Sequence, residues 1–286
     1  MTWMWVTRPE ELQRAQALEG EGLRLRRELD LIEGLSSPTA CRLCGGAEAV
    51  LTAEHSPSKR AGNVGRMVKG MIDHAATAAG GSVVWTGSII QGAKERTLCA
   101  TCNNNTGSWY NGAYVGLVRA ARKIATPKAA GTVLDVDVLN AQRVAKQALV
   151  SVVATSQPGF TTRYPQLRTL LVNREAQGPL DPIRLWLYLK ADPSATTTGL
   201  VAALDIERGR GHLASGFSFW PLGWIITLGD AEVRGALDVS DWTELAYMDR
   251  GPLRIQIPCQ WSISPYPGDF RGPDEFPRDA WKVQRS

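Results

Sequence analysis

Nowhere in this 286-residue chain does an apolar run approach the ~18 to 20 continuous residues needed to cross a bilayer. The longest candidate, Phe217 to Leu228, is broken by Pro221 and Gly223. The start, Met1-Thr2-Trp3-Met4-Trp5, has no basic segment, no apolar stretch of signal length and no small-residue cleavage site, so export by that route is not expected. Cysteine is scarce: there are five, four of them in two C-x-x-C pairs, which makes a poor disulfide framework. Histidine is scarcer still, and three residues leave few candidates for a base working near neutral pH. Charged residues make up only 21% against 44% hydrophobic, so the chain is expected to bury an ordinary core, as one large domain or two modest ones. No internal repeat is present. Together these absences predict a soluble, cytoplasmic protein without a membrane partner.

The charge that is present is unevenly placed. Ser36 to Ala130 carries eleven Lys or Arg against four Asp or Glu, a formal +7, whereas the whole chain is +4. Positive charge gathered around cysteine pairs suits a polyanionic partner, because each phosphate contact releases condensed counterions. Four thiolates on a divalent ion would take about two units off that figure.

Residue patterning predicts an α+β chain in three segments. Residues 1–35 form a helical segment with Leu12, Leu18, Leu25, Leu29 and Ile32 at loosely helical spacing, interrupted at Gly20 and Gly22 into one broken or two short helices. Residues 36–130 form a small metal-stapled unit with short strands at Ala49 to Thr52 and Ser82 to Trp85. A helix opened by the second cysteine pair follows, with Trp109, Ala113, Leu117, Val118 and Ala121 on one face. Residues 131–286 hold a strand at Val133 to Val138 and a helix from Asn140 to Thr155. Further strands are predicted at Ile183 to Leu189, Gly199 to Ile206, Gly216 to Trp220, Trp224 to Leu228, Glu244 to Tyr247 and Leu253 to Ile257, as an antiparallel sheet packed on that helix.

Cys41-Arg42-Leu43-Cys44 and Cys99-Ala100-Thr101-Cys102 each have the two-residue gap that lets both thiolates of a knuckle reach one tetrahedral ion at ~2.3 Å. Two knuckles fill four positions and leave none open, which predicts structural Zn²⁺ rather than a catalytic ion. The fifth cysteine, Cys259, reads as a buried apolar-like residue. Fifty-four residues separate the pairs, more than a minimal zinc ribbon needs, and the insertion opens with Leu51-Thr52-Ala53-Glu54-His55. Adjacent residues on a strand point to opposite sides, so Glu54 and His55 suit two tasks: a carboxylate for a hard metal, and an imidazole of pKa ~6.5 to take a proton from water. Taken alone, the pair is equally an ordinary surface dipeptide. Asn103-Asn104-Asn105 sets amide oxygens beside the second knuckle, where one can complete a hard-metal site and another can cap a helix.

Cys-x-x-Cys, then a strand ending in an acidic residue and His, then Cys-x-x-Cys-Asn, resembles the HNH endonucleases of the ββα-metal class, in an order similar to that of phage endonuclease VII. The resemblance covers about Ala40 to Arg122. It implies a hydrolase that cuts phosphodiester bonds, with His55 as general base, Glu54 and Asn103 holding one catalytic Mg²⁺ or Mn²⁺, and the four cysteines holding zinc. Where many members carry an Asn just before the second cysteine pair, to orient the His, this chain has Lys94-Glu95-Arg96-Thr97-Leu98; Asn63 is another amide in the insertion. DNA is the expected substrate, with RNA open, and Lys59, Arg60, Arg66, Lys69, Lys94 and Arg96 are candidates for phosphate contact or simply for solubility. His74 is an alternative base, and His212 reads as structural. Trp85, Trp109 and Tyr110 either stack on bases or fill the core. The alternatives are a catalytically inactive, zinc-stapled nucleic-acid-binding protein and an interaction protein. The C-terminal segment carries no motif of its own and is a candidate homodimer surface.

Overall fold

Leu25, Leu29 and Ile32 repeat at the spacing of one helical face, and that face decides the first element. In the computed structural model of the chain, which describes residues 9–47, 50–64, 66–72, 83–205, 210–249, 251–263, 267–270, 272 and 274, one unbroken helix, α1, spans Pro9–Gly34. The break predicted at Gly20 and Gly22 does not occur. A glycine costs a helix interior about 1 kcal/mol, whereas burying an aliphatic side chain returns ~1.5 to 3 kcal/mol, and all three of these apolar residues are buried. Glu21 and Arg24, on either side of Gly22, also pair at 2.7 Å across one turn.

The insertion between the cysteine pairs is built of strands. β1 (Leu51–His55) pairs antiparallel with β4 (Lys94–Cys99), and between them lie a 3₁₀ turn at Lys59–Ala61 and the antiparallel strands β2 (Arg66–Ile72) and β3 (Val83–Gln91). β4 passes without a loop into α2 (Ala100–Ala121), the helix predicted at the second pair. Leu117, Val118 and Ala121 are buried on it as expected, together with Tyr110 and Tyr114.

The rest of the chain supplies β5 (Val133–Leu139), α3 (Ala141–Thr155), the short helices α4 (Phe160–Arg163) and α5 (Pro165–Val172), β6 (Ile183–Lys190), β7 (Ala195–Asp205), β8 (Arg210–Phe219), β9 (Leu222–Leu228), β10 (Leu237–Asp238) and β11 (Pro252–Gln260). The sheet runs β5-β11-β6-β9-β8-β7, with β10 paired to β6. Its neighbours are antiparallel except where β11 meets β6 in parallel through Cys259 and Leu189. The strand predicted at Glu244 to Tyr247 is absent: Ser240–Glu244 is a 3₁₀ turn that buries Trp242, and Thr243 donates to Gly178 O at 2.7 Å. Two aromatic residues five apart fill the core from a turn, which composition alone does not distinguish from a strand. The edge of β7 is closed by a side chain, since the Gln157 amide donates to Leu200 O at 2.9 Å and accepts from Leu200 N at 3.2 Å, imitating a neighbouring strand.

One continuous core takes residues from Leu25 of α1 to Cys259 of β11, and α3 runs through its middle. Being covered all round, α3 buries even its polar residues Gln142, Lys146, Gln147 and Ser151. The Lys146 ammonium, fully enclosed, donates to Asn173 O, Arg174 O and Ala176 O at 3.2, 2.8 and 2.7 Å, and so satisfies carbonyls just beyond the end of α5. Burial pushes its pKa down to about 8, opposed by Glu175. Replacing it with Met keeps the length and leaves Asn173 O and Arg174 O without that donor, while Ala176 O keeps the Gln142 amide at 3.1 Å. At ~1 to 3 kcal/mol per buried unsatisfied group, partly relieved by relaxation, Lys146→Met is expected to lose about 3 kcal/mol in urea unfolding. A loss under about 0.5 kcal/mol would show that water reaches those carbonyls.

Candidate functional site

The first cysteine pair sits on a tight turn. Cys41 N donates to Gly46 O at 3.0 Å and Gly45 N to Cys41 O at 2.7 Å. Gly45 has φ of +76°, a left-handed backbone conformation that favours glycine, and the Arg168 guanidinium lies over it. Two contacts seat this knuckle in the fold: Arg42 N donates to Thr97 O of β4 at 2.9 Å, and the Arg42 guanidinium donates to Ala154 O, in the last turn of α3, at 2.7 Å. The second pair is placed by the β4–α2 junction. Cys99 ends the strand and caps the helix, its Sγ accepting from Cys102 N at 3.5 Å.

These elements bring the four Sγ atoms within 4.8 Å of one another, with Cys44 and Cys99 3.9 Å apart. Thiolates ~2.3 Å from a shared ion at tetrahedral angles stand about 3.8 Å apart, so the set is positioned to bind one metal ion; a disulfide would need ~2.05 Å. Cys44 is half-buried and the other three are at most 9% exposed. The cluster is electrostatically prepared. A hydrogen bond from the Cys102 thiol, with backbone N–H groups of Cys44, Cys99 and Leu43, overcomes burial and draws Cys41 down to about 4. That same hydrogen bond, then burial, pushes Cys102 up. Cysteine ligates as the thiolate, so a cation entering the cluster releases protons from it. Among the described residues no second grouping of His, Cys, Asp or Glu has metal-ligand spacing.

Beside the cluster, β1, β4 and α2 form a strand–strand–helix corner. The β1–β4 register sets Glu54 opposite Glu95 and His55 opposite Lys94, with a bulge where Leu98, Thr97 and Arg96 face Thr52 and Ala53. Asn103, in the first turn of α2, donates from Nδ2 to Thr52 Oγ1 at 3.1 Å, and Thr52 Oγ1 donates to Leu98 O at 3.1 Å. Asn103 therefore lies against the strand that carries Glu54 and His55 two and three residues further on. The asparagine run does not cap α2, because Cys99 does. Thr52 escaped the sequence reading; the signal was its two-residue offset from Glu54 along one strand.

The basic candidates divide by element. Lys59 and Arg60 are exposed on the 3₁₀ turn, which Ser58 ties to α2 through Asn111 at 2.7 Å. Lys94 and Arg96 are exposed on β4, in register with His55 and Ala53. Arg66 and Lys69 lie on β2, opposite Gln91 and Ser88. Asn63 is fully buried, and its amide is spent on backbone, donating to Pro57 O at 2.7 Å and Ala93 O at 3.0 Å and accepting from Ala93 N at 2.7 Å. It closes the ends of β1 and β4, a role that leaves no amide group for orienting an imidazole.

His74 lies outside the described residues, and Trp85 lies on β3. Tyr110 is core, its hydroxyl donating to Leu171 O at 3.1 Å, with Trp109 half-buried edge-on against it. His212 sits on β8 across from Ala203. Cys259 is fully buried, and burial raises its pKa. No helix among the described residues is long and apolar enough to cross a membrane. No family model, curated protein or solved structure matches this chain.

Proposed function

We propose that this chain is a metal-dependent endonuclease of the HNH type, hydrolysing phosphodiester bonds in DNA. The observation that carries the reading is the Asn103–Thr52 hydrogen bond: it sets an amide from the first turn of α2 against the strand holding Glu54 and His55, beside four clustered thiols. Zinc is the metal we assign to the cysteines, since four soft thiolates at tetrahedral spacing suit it and a closed shell suits a structural ion. Glu54 and Asn103 supply hard oxygen donors for Mg²⁺ or Mn²⁺, which when bound would stabilise charge on the phosphate and leaving oxygen. His55 takes the proton from the attacking water. The exposed Lys59, Arg60, Lys94 and Arg96 hold the phosphate backbone without selecting sequence.

The test is incubation of the purified protein with supercoiled plasmid and Mg²⁺ or Mn²⁺, beside an EDTA control and a parallel RNA substrate. Metal-dependent nicking or linearisation is the expected result. Salt-dependent DNA binding with no cleavage under either ion would replace this reading with that of a zinc-stapled binding protein.

A further inference from the structure

We infer that Thr52 is a positioning residue that fixes which end of the Asn103 amide faces the divalent ion; the inference rests on the nuclease reading above. An asparagine amide has a donor end and an acceptor end, and only the acceptor, Oδ1, can ligate a cation. The bonds around Thr52 determine the choice. Leu98 O can only accept, so at 3.1 Å it takes the single proton of the Thr52 hydroxyl. The hydroxyl oxygen then has only lone pairs for Asn103, and its partner at 3.1 Å has to be the amide nitrogen. The amide orientation thus follows from the chemistry of the chain Asn103 N–H to Thr52 O–H to Leu98 C=O. Oδ1 points away from Thr52 and accepts no hydrogen bond among the described residues, so it remains available as a ligand.

The relay is also braced from the metal cluster. Leu98 adjoins the bulge residue Thr97, whose carbonyl is held by Arg42 N of the first knuckle at 2.9 Å, and Asn103 directly follows Cys102 of the second. Both ends of the hydrogen-bond chain are therefore anchored next to cysteines of the cluster. Groups that orient a metal ligand without touching the metal typically account for 10- to 100-fold in metal affinity. Without the Thr52 hydroxyl, Asn103 is free to rotate and present its NH₂ to the cation.

The experiment uses the full chain, with metal content and helical signal checked in every variant, and titrates Mn²⁺ by electron paramagnetic resonance beside plasmid cleavage. Thr52→Val replaces the hydroxyl with a methyl group at the same volume and keeps a β-branched residue in the strand. It is expected to weaken Mn²⁺ binding about 10- to 100-fold, with cleavage recovering at saturating Mn²⁺. Thr52→Ser keeps the hydroxyl and is expected to bind within about twofold of the parent. A Thr52→Val variant that binds Mn²⁺ as tightly as the parent overturns the inference and leaves the nuclease reading standing. A Thr52→Ser variant that binds Mn²⁺ about 10-fold or more weakly than the parent does the same, and this arm decides the matter if the valine variant misfolds. A parent protein that neither binds Mn²⁺ nor cleaves overturns both.

Discussion

Removing the metal from the four thiols, by chelation or by Cys102→Ser, is expected to unfold the chain well beyond residues 41–102. Structural zinc contributes an apparent ~10 to 16 kcal/mol in small zinc-folded peptides, as much as the whole ~5 to 15 kcal/mol stability of an ordinary domain. Here the loss has a route into the rest of the protein. The first knuckle holds the carboxyl end of α3 through Arg42, Thr161 Oγ1 donates back to Arg42 O at 2.6 Å, and Leu43 is fully buried. Without metal, no ion ties the two knuckles to each other, and the first knuckle loses its hold on the second. The near-ultraviolet circular dichroism of Trp224 and Trp242, far from the cysteines in sequence, should therefore fade with metal release, in one thermal transition shifted downward. An unchanged spectrum and midpoint after stoichiometric removal would show that the sulfur cluster is incidental to the fold.

The second large effect concerns His55. If it takes the proton from water, His55→Ala should lower cleavage at saturating Mg²⁺ by ~10²- to 10⁴-fold. DNA affinity should hold, since the exposed basic residues are untouched. Bound zinc should also stay at about one per chain, because the position of His55 is set by the backbone pairing of β1 with Lys94 of β4. Single-turnover plasmid assays with matched protein concentrations measure this directly. Cleavage by the variant at the parent rate would remove His55 as the base and send the search for the proton acceptor elsewhere.

The parts legible in the sequence were those where one residue type has one use. Each C-x-x-C gap sets two sulfurs side by side locally, and the expectation of a shared ion joins the pairs, which the fold brings together through the Arg42 bond to β4 and the β4–α2 junction. The helix from Asn140, the strands around Trp186 and Ile225 and the passage from Cys99 into a helix were likewise readable from periodicity. What failed depended on partners remote in the chain. Gly20 and Gly22 read as breaks because nothing in the segment reveals that Leu25, Leu29 and Ile32 meet the sheet. Glu244 to Tyr247 reads as strand because burial, not alternation, accounts for Tyr247. At the candidate site, Glu54, His55 and Asn103 were named from their neighbours. The side chain lying between Asn103 and that strand, Thr52, was not, since a threonine in a strand is ordinary until its hydroxyl is seen between two groups. Asn63 shows the converse: an amide in a suggestive place whose every polar atom the backbone already uses.

The burial of α3 on every side bears on how this protein can be taken apart. A helix with one outward face can be left behind when a neighbouring unit is cut out, because only a seam is exposed. Here the excision of residues 36–130 would sever Arg42 from Ala154, Tyr110 from Leu171 and Tyr114 from Trp224, whose indole donates to its hydroxyl at 3.0 Å. The cysteine unit is therefore not a portable cassette. Transplants and shortened versions have to carry α3 and the sheet behind it.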